Sequence, residues 1–154
     1  MPQSAKPNQD KVITGLEKAL ANTYTLMIKT HNFHWNVQGE NFVGLHNLFE
    51  KQYNDLFAAV DDLAERIRAL GAPAPGGLEA FKSLSSIQDA PTEVQNSRAM
   101  VQTLIESRQA MLKDDEELLG AAEESGDQVT QDMITTRMAQ NQKDIWMLRS
   151  VIAT

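Results

Sequence analysis

The sequence predicts an all-α fold, a bundle of four long helices. Three observations predict it. Apolar residues recur at three- and four-residue spacing along four segments. No segment shows the period-two alternation that a half-buried strand requires. Several of the eight glycines and five prolines gather between positions 71 and 91, which leaves the rest of the chain in long uninterrupted stretches.

The first helix is expected over about residues 8–37, with Val12, Ile13, Leu16, Leu20, Tyr24, Met27 and Ile28 as its apolar stripe. The second spans about 41–70, with Leu45, Leu48, Phe49, Leu56, Val60, Leu63, Ile67 and Leu70. Gly71 and Pro73 end it, because glycine adopts the left-handed cap and proline cannot continue a helix. The third is expected to begin near Pro91, whose missing N–H is harmless in a first turn. Its stripe is Val94, Val101, Leu104, Ile105, Leu112, Leu118 and Leu119. Ser125, Gly126 and Asp127 break the chain, with Asp127 as a good N-cap. The fourth runs over about 128–152 through Val129, Met133, Trp146, Met147 and Val151. Short connections make helices one and two, and three and four, antiparallel neighbours. The middle connection is about twenty residues, long for a bare loop, and Leu78 to Leu84 is expected to form a short helix inside it. Two hairpins joined by one long crossover is the ferritin-like arrangement of a four-helix bundle. Residues 8–154 are read as one such domain, and residues 1–7 as a mobile tail.

With 154 residues and 42% apolar composition the chain is long and apolar enough to bury a core. It has no cysteine, which excludes disulfides, thiolate metal sites and cysteine nucleophiles. It has neither a secretory h-region near its start nor an eighteen-residue apolar run, so the expectation is a cytoplasmic protein that spans no membrane. The formal net charge of −7 repels nucleic acid and attracts cations.

All three histidines fall within HNFHWNVQGENFVGLH, residues 31–46. His46 and Glu50 are four apart on the second helix, as are Asp61 and Glu65, and Glu50 and Asp61 differ by only about 20° around the axis. His34 ends the preceding helix, where a short turn brings it beside His46. Imidazole nitrogen with carboxylate oxygen suits Fe(II), Mn(II) or Zn(II), and a three-ligand set with open positions argues for redox-active iron. One straight helix cannot close this set on one ion, since His46 and Asp61 lie roughly 22 Å apart along it. Two copies, antiparallel about a two-fold axis near Asp55, can: residue 46 of one faces 65 of the other, and 50 faces 61. The spacing therefore predicts an intersubunit site and an obligate oligomer. The absence of Glu-x-x-His, the mark of an intrachain di-iron site in such bundles, agrees. His31 reads as structural first, and Trp35 as packing or as an electron donor. Arg66 is placed to balance Asp62 one turn away.

The stretch HNFHWNVQGENFVGLHNLFEKQYNDLFAAVDDLAERIRALG resembles the signature of the Dps family, the mini-ferritins. The match lies in HW-N-V-x-G, F-x-x-LH and D-x-x-A-E-R in that order, and it extends over the whole chain to IWMLR. The resemblance implies hollow dodecamers that oxidise Fe(II), preferring hydrogen peroxide to oxygen, and store the ferric mineral. It implies a two-fold ferroxidase centre with His34, His46 and Glu50 from one subunit and Asp61 and Glu65 from the other. Glutamate at 50 replaces the aspartate of many members. It implies that Trp35 is a one-electron source or sink and that Arg66 pairs with site carboxylates. Iron entry falls to acids near the start of the last helix, here Glu123, Glu124, Asp127 and Asp132. Members that bind DNA often use a lysine-rich tail. This N-terminus offers Lys6 and Lys11 only, so DNA binding is expected to be weak or absent, with nucleoid location following only if DNA is bound. Two competing readings stand: a nucleoid-compacting DNA-binding protein with secondary iron chemistry, and a purely structural helical oligomer.

Overall fold

The computed structural model describes residues 8–154. The expected mobile tail, residues 1–7, lies outside the described residues. Five helices follow in order: α1 (Gln9–Asn36), α2 (Phe42–Ala69), α3 (Leu78–Leu84), α4 (Ser97–Ser125) and α5 (Gln128–Ile152). There is no strand among the described residues. Helices α1 and α2 form one hairpin, α4 and α5 the other, and α3 lies in the crossover, as the sequence predicts.

The helix ends follow from local chemistry. Asn8 and Asn41 precede α1 and α2 in the left-handed region, which asparagine tolerates better than most residues. At the end of α2, Gly71 has φ 93°. The Gly71 N–H donates to the Arg68 carbonyl and the Ala72 N–H to the Ile67 carbonyl, a Schellman closure. The same pair of bonds closes α4 around Gly126, from Gly126 to Glu123 and from Asp127 to Ala122.

Two expectations are corrected. Helix α4 does not start at Pro91 but at Ser97, because the Asn96 side chain accepts the Ala99 N–H and caps it there. Val94 is therefore exposed and outside the stripe. The inward face of α5 is only in part the one its apolar residues suggest: Met133 and Val151 pack at the margin of the core. Val129 and Trp146 are exposed, while Thr130, Ile134, Asn141, Asp144, Ile145 and Leu148 are buried.

That second correction has a physical cause. The core forms two apolar clusters. One gathers Leu26, Phe33, Phe49, Leu56, Leu104 and Leu148, the other Leu16, Leu20, Leu63, Ile67, Leu118 and Ile134. Along α4 and α5 polar residues interrupt them. Arg108, fully buried, donates to Asn141 and Gln52 and pairs with Asp144 at 3.1 Å. Arg137 pairs through both terminal nitrogens with Asp55. A buried cation needs acceptors from several helices, so α5 must turn polar side chains inward.

Candidate metal centre

The turn between α1 and α2 brings together the end of one helix and the start of the next. His34 and His46 meet there by two reciprocal bonds. The Nδ1 of His34 lies 2.7 Å from the His46 carbonyl oxygen, and the Nδ1 of His46 lies 2.7 Å from the His34 carbonyl oxygen. A carbonyl can only accept, so each Nδ1 carries the hydrogen; the tautomers are inferred from the acceptors. In the neutral rings each Nε2 then keeps its lone pair, the state a metal-ligating imidazole needs. The rings stack at 3.7 Å with an interplanar angle of 18°. The pinning is done by backbone carbonyls, so it is built into the hairpin.

Glu50 is exposed one turn beyond His46. Asp61 and Glu65 are exposed farther along the same unbroken helix. A single chain thus joins His34 and His46 but does not bring Asp61 and Glu65 to them. Among the described residues of one chain no three histidine or acidic side chains gather closely enough to hold a metal ion. His31 and Tyr53 adjoin His34, Phe42 adjoins His46, and Trp35 adjoins His31. Trp35 is 63% exposed, and His31 lies between it and Tyr53. His31 therefore packs between two rings, before the last turn of α1. Tyr53 was not singled out by spacing, although its place seven residues after His46 puts it on the same helix face.

Arg66 departs from expectation. It pairs neither with Asp62 nor with Asp61 or Glu65. Its guanidinium donates to Asp127 at 2.8 Å and to the Thr130 hydroxyl at 3.0 Å. Asp127 caps α5 by accepting the Thr130 N–H. Burial alone would raise the Asp127 pKa, but the Thr130 bonds and the Arg66 guanidinium outweigh it and hold the carboxyl below its usual range. Asp127 is thereby buried and occupied. Glu123, Glu124 and Asp132 are the exposed carboxylates of that end.

Away from the turn, burial shifts four further groups: it lowers Lys29 and raises Asp144, and it acts more strongly on Asp115 and Arg108. Asp115, on α4, is raised to about 7 by burial, with Arg137 opposing and Asp114 adding to the shift. Arg108 is lowered to about 10 by burial, against the pull of Asp144. A signal for both was present: Leu104, Arg108, Met111, Asp115 and Leu118 share helical spacing, so two charges sat on an apolar stripe.

A family profile, described as the Ferritin-like domain, matches residues 13–154. DNA protection during starvation protein 2 of Bacillus anthracis is 32% identical over 142 residues, covering 92% of this chain and 97% of that one. Dps from Staphylococcus aureus superposes with a TM-score of 0.91 at 34% identity, over 95% of this chain and 97% of that one. A DPS protein from Vibrio cholerae O1, described as a member of a broad superfamily of ferritin-like diiron-carboxylate proteins, superposes with a TM-score of 0.90 at 29% identity, over 95% and 91%. The chain belongs to the ferritin-like family, and within that family to the Dps proteins. No helix among the described residues is long and apolar enough to cross a membrane.

Proposed function

We propose that this chain oxidises Fe(II), preferentially with hydrogen peroxide, and stores the ferric product inside a hollow dodecamer, protecting the cytoplasm against oxidative damage. The site is shared: His34, His46 and Glu50 from one subunit, Asp61 and Glu65 from another. The single observation that carries this reading is the His34–His46 pair, with both Nδ1 atoms committed to carbonyls and both Nε2 atoms left for a cation. The uncovered face of α2 supports the second copy. Val43 and Phe57, 66% and 65% exposed, lie about 60° and about 20° from the His46 direction around the helix axis. Large apolar side chains gathered on one exposed face mark a contact surface. The Vibrio relative's description as a diiron-carboxylate protein agrees with iron as the metal.

In the reaction Fe(II) is substrate. Two Fe(II) ions give one electron each, peroxide accepts both with two protons, and two waters leave; no hydroxyl radical is released. Glu50, Asp61 and Glu65 bring negative charge that favours Fe(III) over Fe(II) as the electron departs. Glu123, Glu124 and Asp132 focus cations toward an entry channel by their summed field.

Stopped-flow Fe(II) oxidation with peroxide against oxygen tests this, with particle mass measured alongside. His46→Ala and Asp61→Ala should each slow oxidation by about 10-fold or more, on the scale seen when metal sites lose support. Particles co-assembled from His46→Ala and Asp61→Ala chains should regain activity, because a mixed pair rebuilds one intact site. No recovery in verified mixed particles would refute the shared site.

DNA binding is the second reading, favoured by the name of the Bacillus anthracis relative. It would place the protein on the nucleoid. The charge of −7 opposes it. A gel shift at low and physiological salt, with and without residues 1–11, separates the two.

A further inference from the structure

The buried charges of α4 and α5 leave one carboxyl without a bond. Asp115 is 4% exposed, and among the described residues its side chain makes no hydrogen bond and no ion pair. Its neighbours are committed elsewhere. Arg108 holds Asp144, Asn141 and Gln52. Asp114 accepts from Asn22 at 2.9 Å and lies 4.0 Å from Lys18, both on α1. The cation that acts on Asp115 is Arg137, and Arg137 is bonded to Asp55 on α2 at 3.3 and 3.0 Å. Helix register lets one arginine serve both carboxyls. Helices α4 and α5 are antiparallel, and Arg108 meets Asn141. Asp115, seven residues beyond Arg108, therefore stands level with Ile134. Arg137 is three residues from that level, about 4.5 Å along the axis. Side chains lean toward the N-terminus of their own helix, so the Arg137 side chain leans toward the level of Asp115.

We propose that Arg137 is a proton-operated latch: it clasps Asp55 while Asp115 carries its proton, and swings to Asp115 when that proton leaves. The partner is decided by which carboxylate is costlier to leave alone. Protonated Asp115 is neutral and needs no cation. Ionised, it is a lone charge in the interior, far costlier than a released Asp55, whose side chain is 35% exposed to water. The exchange balances. Asp115 gives one proton to water, the guanidinium keeps its charge and changes partner, and the Asp55 carboxylate becomes hydrated. Arg137 faces Asp115 from α5 and Asp114 from its own helix, while Lys18 and Asn22 of α1 turn to Asp114 and α2 acts through Asp55. Burial raises the Asp115 pKa to about 7 against the pull of Arg137, so the exchange falls near neutrality. Asp144 is also raised by burial, but it has Arg108 beside it.

The consequence is mechanical. Across the seam between α2 and α5, Arg66 bonds Asp127 and Thr130 at one end, and Arg137 bonds Asp55 near the middle. Above neutrality the middle bond is lost and its cation is drawn to α4. The α2–α5 seam loosens there, and the α4–α5 hairpin gains an ion pair. None of the latch residues belongs to the proposed ligand set, so the device does not depend on the iron chemistry.

Crystal structures of the full-length protein at pH 5 and pH 9 test the exchange directly. Arg137 is expected on Asp55 at pH 5 and on Asp115 at pH 9. In Asp115→Asn it should stay on Asp55 at both. Infrared difference spectra over the same range report the ionisation: the protonated-carboxyl band lost as pH rises should be weaker in Asp115→Asn. Amide exchange in solution, corrected for the intrinsic effect of pH, reads the seam. Exchange around Asp55 and Arg137 should quicken about 5-fold from pH 5 to pH 9 in the native protein, the scale of one partly exposed ion pair. It should not quicken in Asp115→Asn, and in Asp55→Asn it should be fast at both pH values. Should Asp115→Asn fail to fold, Asp115→Leu gives the same comparison. Arg137 still on Asp55 at pH 9 beside an ionised Asp115 overturns the latch. So does an Asp115 that keeps its proton to pH 9, or a native seam whose exchange matches that of Asp115→Asn throughout.

Discussion

Replacing Asp115 by asparagine should stabilise the fold at pH 8 and do much less at pH 5. The carboxyl is buried, and burial raises its pKa from 3.8 to about 7, partly offset by Arg137. In the unfolded chain the group ionises near its ordinary value. Between about pH 4 and pH 7 the folded state therefore holds a proton that the unfolded state has released. Stability falls as pH rises through that window, and the penalty is complete above it. At about 1.36 kcal/mol per unit the whole shift corresponds to about 4 kcal/mol, an upper figure. Asparagine removes the ionisation but brings an amide N–H that also needs a partner, so a net gain of about 1–3 kcal/mol is expected at pH 8. Urea unfolding of both proteins at pH 5 and pH 8, at one protomer concentration, measures it. Comparing the two differences cancels what assembly contributes equally to both. A difference between the proteins that is the same at both pH values would refute the reasoning.

Two further outcomes follow from the buried charges. Arg108→Ala leaves Asp144 buried without its cation and should cost about 3–5 kcal/mol, whereas Arg108→Met with Asp144→Leu should recover most of that in the same urea assay. Arg66→Ala removes the guanidinium from Asp127 and Thr130 and should cost about 1 kcal/mol. It should speed amide exchange in the first turn of α5, and unchanged exchange there would contradict the assignment.

The parts of the fold that were legible are those decided within a few residues. Gly71 and Gly126 end helices because the left-handed closure is a local event, and Asp127 caps α5 for the same reason. Leu78 to Leu84 forms α3 as its place in an otherwise bare crossover implied. The start of α4 was misread because Pro91 permits a helix start without requiring one, whereas Asn96 supplies the bond that fixes it. The face of α5 was misread because apolarity was taken as the guide to burial. Arg108 inverts that guide by demanding Asn141 and Asp144 where valine or tryptophan would otherwise point. At the candidate centre, the meeting of His34 and His46 was legible from a short turn between periodic segments. The reciprocal carbonyl bonds and the ring contact between His31 and Tyr53 were not, because they depend on side-chain rotamers set only once the hairpin is packed. The partner of Arg66 was hidden for a different reason: it lies 61 residues away.

Helix α2 runs unbroken from Phe42 to Ala69 and carries four of the five proposed ligands, all but His34. Inserting or deleting one residue between His46 and Asp61 would swing one half about 100° around the axis relative to the other and slide it about 1.5 Å. Residues 71–96, where the backbone is mostly irregular and exposed, carry no such register, so a length change there leaves the spacing of the proposed ligands on α2 intact.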